Sequence, residues 1–402
     1  MSLKNNSRFQ LGIIGFTASL MGIGQNGLLV ALPFLVEQSP FGLPTWSMLI
    51  AIGSFLFLPS APFWGRFSDR HGPKKVVLQA LAGMAVSFLL LALFAILSNR
   101  AESLPSVALI GLLVARIIYG CTVSGMVPAA QHWAILLCGG QNRLQAITTV
   151  SIGLSAGRLI GPLFALLALK FSPYAPLTVM MVLPGIALLG ALWLPAPRLI
   201  DTNRHRHASL PWIPKQNLWP YLASGLLLCA AIALLQYSFS PLITSVTDWS
   251  TGQVSDAIGV LLTISAACTF ITQLAVIRKS KLTPISMYRL GALALTVGFS
   301  LFLFSSIWLF GLAMALAAVG GALLVPAYTS AATEQQSEAP GAVAGYISMS
   351  HTLGYGLASL LAFSATLSAW YPVYLCLLFA GLILATAVWL AKSEQVQPAK
   401  LI

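Results

Sequence analysis

Residues 65–97 read GRFSDRHGPKKVVLQALAGMAVSFLLLALFAIL, and this stretch decides the fold class. Its first third is crowded with charge: Arg66, Asp69, Arg70, Lys74 and Lys75 stand close together. From Val76 to Leu97 there is no charge at all, over a length that crosses a bilayer, for which about 20 mostly apolar residues suffice as a helix. A switch from a basic stretch to an uncharged one is what a membrane edge imposes. A charge at the bilayer centre costs at least about 2.5–3.5 kcal/mol.

The same alternation runs outward through all 402 residues. Twelve segments satisfy the length and polarity a span needs: 10–36, 44–64, 76–97, 105–134, 146–169, 175–195, 218–242, 255–276, 285–305, 307–331, 341–365 and 371–391. Hydrophobic residues make up 58% and charged residues 7%, where a soluble domain carries roughly 25% charge. That composition excludes a water-facing surface, a disordered chain, a collagen-like repeat and a disulfide scaffold. The segments do not alternate apolar with polar every second residue, as a membrane β-barrel would. The expectation is an all-α integral membrane protein of about twelve transmembrane helices. The first apolar run continues to Val36, longer than a cleaved leader's core, so it is expected to stay as the first span. The five cysteines (Cys121, Cys138, Cys229, Cys268, Cys376) lack metal-ligand spacing and read as small packing residues.

Lysine and arginine set the expected orientation. With the N-terminus inside, the cytoplasmic segments hold seventeen of them, from Lys4 and Arg8 to Lys392 and Lys400, and the opposite side only Arg100 and Lys170. The positive-inside rule then puts both termini in the cytoplasm. The longest polar stretch, 196–217, divides the chain into six-helix bundles at 1–195 and 218–402. Its His205 and His207 have no further ligands beside them and read as part of a solvated basic linker. The halves resemble each other: Val127-Pro128-Ala129 returns as Val325-Pro326-Ala327, and Ser151 with Gly157 returns as Ser350 with Gly356. A duplicated six-helix unit is expected to put a substrate site between its copies near mid-bilayer.

In the basic stretch, Gly65 and Gly72 suit tight turns, and Asp69 is the only acid among its Lys and Arg neighbours. An acid there can accept hydrogen bonds from a helix N-terminus or pair with an arginine. The stretch resembles the loop signature of the major facilitator superfamily, Gly-x-Leu-x-Asp-Arg-x-Gly-Arg-Lys. Gly65, Asp69, Arg70, Gly72 and Lys74 match in register, with Phe67 for Leu and Pro73 for Arg. The resemblance implies a gating role for these residues. In span 4, Leu112, Arg116 and Gly120 are similar to the family pattern Leu-x-x-x-Arg-x-x-Gln-Gly, with Tyr119 for Gln. The family's arginine there is associated with proton coupling in antiporters. In span 5, Gly157, Gly161 and Pro162 resemble the exporter signature Gly-x-x-x-Gly-Pro-x-x-Gly-Gly, whose last two glycines are Ala165 and Leu166 here.

The residues also carry their own argument. Arg116 and Arg158 fall near the middle of spans, where an arginine should face a partner or a watery cavity. Gly157 and Gly161, one turn apart, let two helices approach closely, while Pro162 frees a backbone carbonyl. Other polar residues within spans are few: Gln25 and Asn26 in span 1, Gln236 and Tyr237 in span 7, Gln273 in span 8 and His351 in span 11. With Arg116, Tyr119 and Arg158 they form the expected substrate-binding set. Each of these polar residues can equally serve as an interhelical hydrogen bond. His351 titrates near neutrality in water, which makes it, beside Arg116, a proton-coupling candidate. None of the nine acids falls mid-span, so the membrane interior is expected to be positive and to favour an anionic or zwitterionic ligand.

These features lead to a secondary transporter, a proton-linked exporter of an anionic or carboxylate-bearing small molecule such as a siderophore or related metabolite. A broad multidrug efflux antiporter and an organic-anion importer are the alternatives. An enzyme is not expected, since the spans hold no paired nucleophile and base. No cofactor, metal or nucleic acid is implied. The expected partners are a small amphiphilic substrate, protons and the lipid bilayer, around a monomer in a bacterial cytoplasmic membrane.

Overall fold

A computed structural model describes residues 7–100, 105–197, 213–278 and 282–395. The interior of the linker, with His205 and His207, lies outside them, as do Lys279 and Lys281. The described residues form helices joined by short turns, without strands, as the apolar pattern implied. Eleven of their helices or helix pairs are long and apolar enough to cross a membrane. The remaining expected span, 341–365, is helical from Pro340 to Leu361. Its run Ser348, Ser350, His351 and Thr352 makes it less apolar than the others.

The helices fall into two compact units. The first contains α1 (Ser7–Glu37), α2 (Leu43–Phe55), α3 (Phe57–His71), α4 (Pro73–Arg100), α5 (Pro105–Val123), α6 (Met126–Cys138), α7 (Arg143–Leu169) and α8 (Ala175–Trp193). The second contains α9 (Trp219–Tyr237), α10 (Phe239–Thr244), α11 (Thr251–Arg278), α12 (Pro284–Leu301), α13 (Ile307–Gln335), α14 (Pro340–Leu361), α15 (Ser364–Leu367) and α16 (Tyr371–Gln395). Residues 336–349, with the first turns of α14, group with the first unit; from Ser350 onward the chain groups with the second.

Three expected spans are helix pairs, and proline explains each break. The ring of a proline collides with the carbonyl four residues earlier and its nitrogen offers no hydrogen. Pro59 therefore acts on Phe55, where α2 ends, Pro128 on Ser124, just past α5, and Pro241 on Tyr237, where α9 ends. Helix α7 runs unbroken through Pro162. There the side chain of Asn26, on α1, donates to the freed Arg158 carbonyl at 2.8 Å, the kind of substitution that lets proline sit inside a membrane helix.

In the first unit α1 lies along α7 backbone to backbone. A Cβ added to Gly153 would overlap the Gly15 carbonyl, one on Gly157 the Ser19 carbonyl, and one on Gly161 would touch Ile23. Lipid tails give helices no hydrophobic reason to associate, so small residues that permit close packing supply the attraction. In the second unit the close approaches of α9 and α14 use Gly225 and Gly354. Gly356, the residue matching Gly157 in the repeat, meets nothing within 4 Å. That element of the repeat is not carried into packing, because two residues along a helix turn the side chain to another face.

Candidate functional site

The basic stretch is not the loop that the spacing suggests. Helix α3 continues through it to His71 and α4 starts at Pro73, so only Gly72 is left to turn, at φ 91°. A left-handed φ of that kind suits glycine. Gly65 instead sits inside α3, where its missing side chain lets Gly341 come close: a Cβ there would overlap the Gly341 carbonyl. On the same helix Asp69 accepts the backbone N–H groups of Gly341 at 2.8 Å and Ala342 at 2.7 Å. These amides open α14, where four N–H groups have no helical partner and the dipole favours an anion.

Two neighbours of this latch, His132 and Tyr346, escaped the sequence reading. The His132 Nδ1 atom stands 2.8 Å from the Ser68 hydroxyl and 3.5 Å from an Asp69 oxygen, with both side chains of the His–Asp pair almost fully buried. Arg66 donates to the Tyr346 hydroxyl at 3.0 Å, its guanidinium 5.3 Å from that ring. His132 and Tyr346 lie in apolar surroundings that give no sign of what they face. Of the other signature residues, Arg70 is exposed. Lys74 donates to the carbonyls of Leu192 at 3.0 Å and Leu194 at 2.5 Å, closing the C-terminal end of α8, where a cation is favoured.

Arg116 is buried, 4% exposed. It is not an open-cavity cation: its Nε donates to the Leu49 carbonyl at 3.4 Å and its guanidinium lies 4.6 Å from the centre of the Tyr119 ring. Gly53 makes room for it, since a Cβ there would press on the guanidinium. Tyr119 is itself 4% exposed, and its hydroxyl has no hydrogen-bond partner among the described residues. Arg158, on α7, is exposed yet within electrostatic reach of that hydroxyl. No carboxylate comes within ion-pair distance of either arginine among the described residues.

The other candidates are dispersed. Gln25 and Asn26 are half-buried, Asn26 being engaged by the Arg158 carbonyl. Gln236 and Tyr237 are exposed at the end of α9. Gln273 is buried with its side-chain oxygen unpartnered among the described residues. His351 bonds through Nε2 to the Tyr328 hydroxyl at 2.5 Å. A crevice of about 720 Å³ beside α4, α7 and α8, lined by residues such as Asn99, Phe164 and Tyr174, contains none of these candidates.

A family model, Major Facilitator Superfamily, matches residues 14–359. The chain is 34% identical over 171 residues to the multidrug resistance protein MdtG of Proteus mirabilis, covering 40% of this chain and 39% of that relative. With the protein of the same name from Citrobacter koseri it shares 35% over 137 residues, 33% of this chain and 30% of the relative. The chain thus matches about two-fifths or less of the length of these curated relatives. Among solved structures, the Escherichia coli fucose:proton symporter FucP aligns with a TM-score of 0.73 at 13% identity, covering 95% of this chain and 98% of that one. The human organic anion transporter MFSD10 aligns at 0.70 with 19% identity, covering 95% and 98%. At such identities the structures speak for the fold alone. Since the family model takes in nearly the whole of the membrane-spanning region, the chain belongs to the Major Facilitator Superfamily.

Proposed function

We propose that the protein is a secondary transporter that exports an anionic or carboxylate-bearing small molecule from the cytoplasm in exchange for protons, by alternating access. The observation that carries this reading is the buried Tyr119 hydroxyl, without a partner among the described residues, beside the Arg116 guanidinium and within reach of Arg158. The phenol and the Arg116 guanidinium offer donors to an anion, the charge of Arg158 is felt at the phenol, and no carboxylate stands within ion-pair distance of either arginine among the described residues. Arginine's planar fork matches a carboxylate with two parallel bonds. Two midplane arginines are costly to insert, which favours a working role over a packing one. Family and fold point to transport rather than to an enzyme. In this reading the Asp69 latch holds one conformation and is released in the other, both termini are cytoplasmic, and the protein works as a monomer in a bacterial inner membrane.

The partial likeness to MdtG, a multidrug resistance protein by name, supports a second reading as a broad efflux antiporter. Uptake into inverted membrane vesicles under an imposed pH gradient separates the two. The anion reading expects accumulation of a fluorescent carboxylate dye and not of tetraphenylphosphonium, a lipophilic cation. Accumulation of the cation alone would overturn it in favour of multidrug efflux. Accumulation of the dye without any pH gradient would overturn the proton exchange.

A further inference from the structure

Four side chains on four helices of the second unit form a polar column inside an apolar bundle. Ser224 on α9 gives its hydrogen to the Pro220 carbonyl at 2.9 Å and shares a very short hydrogen bond with the Tyr288 hydroxyl of α12. With Ser224's hydrogen committed, Tyr288 is the donor. The Tyr288 ring meets Tyr328 of α13 edge-on at 6.3 Å, and Tyr328 meets the His351 imidazole of α14 edge-on at 5.8 Å. On α9 Gly225 faces the imidazole, and a Cβ there would come within 3.1 Å of Nε2. The ring is held between Tyr328 and the α9 backbone.

Tyr328 is fully buried, 0% exposed, and its hydroxyl's one hydrogen-bond partner among the described residues is the His351 Nε2 atom at 2.5 Å. A phenolic hydrogen with no acceptor in such a place is costly, so the hydroxyl donates and Nε2 accepts. Neutral imidazole with an accepting Nε2 carries its hydrogen on Nδ1. A proton arriving at Nε2 would turn that nitrogen into a donor facing another donor. For the hydroxyl to accept instead, its hydrogen must turn away from Nε2, where it has no other acceptor among the described residues; a shift of α13 against α14 removes that cost.

We propose that Tyr328 is a positioning residue that fixes His351 in the Nδ1-protonated tautomer and makes proton exchange at Nε2 conditional on movement of α14 against α13. The role in exchange rests on the proton-coupled reading above; the tautomer does not. The titratable groups acting on Tyr328 are Cys229 of α9, Tyr288 of α12 and Tyr355 of α14, with no acidic or basic side chain of Asp, Glu, Lys or Arg among them.

The test is nitrogen NMR on the full-length protein carrying ¹⁵N-histidine in lipid nanodiscs, with the His351 signals identified by their loss in His351→Gln. The parent is expected to show a protonated Nδ1 and an unprotonated, hydrogen-bonded Nε2. Tyr328→Phe keeps both ring contacts and removes the hydroxyl alone, and is expected to give a mixture of tautomers. A parent signal with the proton on Nε2 would overturn the assignment without need of any Tyr328 variant. So would a Tyr328→Phe protein with the parent's tautomer ratio. In inverted vesicles, stimulation of carboxylate-dye uptake by the pH gradient is expected to be several-fold smaller in Tyr328→Phe. Equal stimulation overturns the role in exchange. A parent with no stimulation overturns that role together with the proton-coupled reading, and the NMR result then decides the tautomer alone.

Discussion

The Asn26 side chain, on α1, donates its amide to the Arg158 carbonyl of α7 at 2.8 Å, and that carbonyl is the one Pro162 deprives of its helical partner. One contact thus lets a proline sit inside α7 without breaking it and ties α7 to α1 along their glycine seam. Asn26, a candidate ligand residue by sequence, has a structural task in this conformation.

Asn26→Ala is expected to destabilise the protein by about 0.5–1.5 kcal/mol, the net contribution of one intramolecular hydrogen bond. Thermal unfolding in detergent checks it. An unchanged midpoint would mean that water or another group replaces the amide without loss.

Gly157→Ala should be far worse than Gly190→Ala. The added carbon at Gly157 overlaps the Ser19 backbone, which cannot swing aside, while nothing lies within 4 Å of a Cβ at Gly190. Overpacking costs of about 1–3 kcal/mol apply to the first and not to the second. Equal unfolding midpoints for the two variants would show that α1 and α7 separate without penalty.

Asp69→Asn is expected to leave the protein inserted and slow its transport. Asparagine keeps one acceptor oxygen and turns an NH₂ toward the second of the two amides at Gly341 and Ala342. Losing one of the two hydrogen bonds costs about 0.5–1.5 kcal/mol, so the latched conformation loses population. Dye flux in proteoliposomes at matched protein amounts is the measurement, and a parental rate would remove Asp69 from the gate.

Arg116→Ala and Arg158→Ala should each weaken binding of a carboxylate dye by about tenfold or more, about 1.4 kcal/mol per factor of ten. Arg116→Lys should recover only part, because lysine lacks the planar fork. Fluorescence titration of purified protein reads this directly. Affinity unchanged in both alanine variants would defeat the anion site.

His351→Gln should still bind the carboxylate dye but no longer release protons when it does, since glutamine can hydrogen-bond and cannot titrate. A pH-indicator assay in weakly buffered detergent solution follows the release. Release equal to the parent's would move coupling to another group.

Apolar length and the absence of mid-span acids are properties of the chain read in order, and they determined a great deal. They specified helices of membrane-crossing length but not where three spans break, since prolines stand four residues beyond Phe55, Ser124 and Tyr237 while Pro62, Pro162, Pro184 and Pro326 sit inside helices. The physical reason is that lipid offers no hydrogen bonds, so each segment must satisfy its own backbone, and that demand is local. Pairing is not local. Asn26 with Arg158, Ser68 with His132, Arg66 with Tyr346 and Asp69 with Gly341 join residues 132, 64, 280 and 272 positions apart. Helices apolar on every face carry little record of which face meets which neighbour, and their docking is decided by where glycines let backbones touch. Asp69 could be read as an acceptor for a helix N-terminus, yet only the fold chose α14, with Gly65 and Gly341 clearing the approach. His351 could be read as a proton carrier, yet its Tyr328 partner, 23 residues earlier on α13, came from the fold.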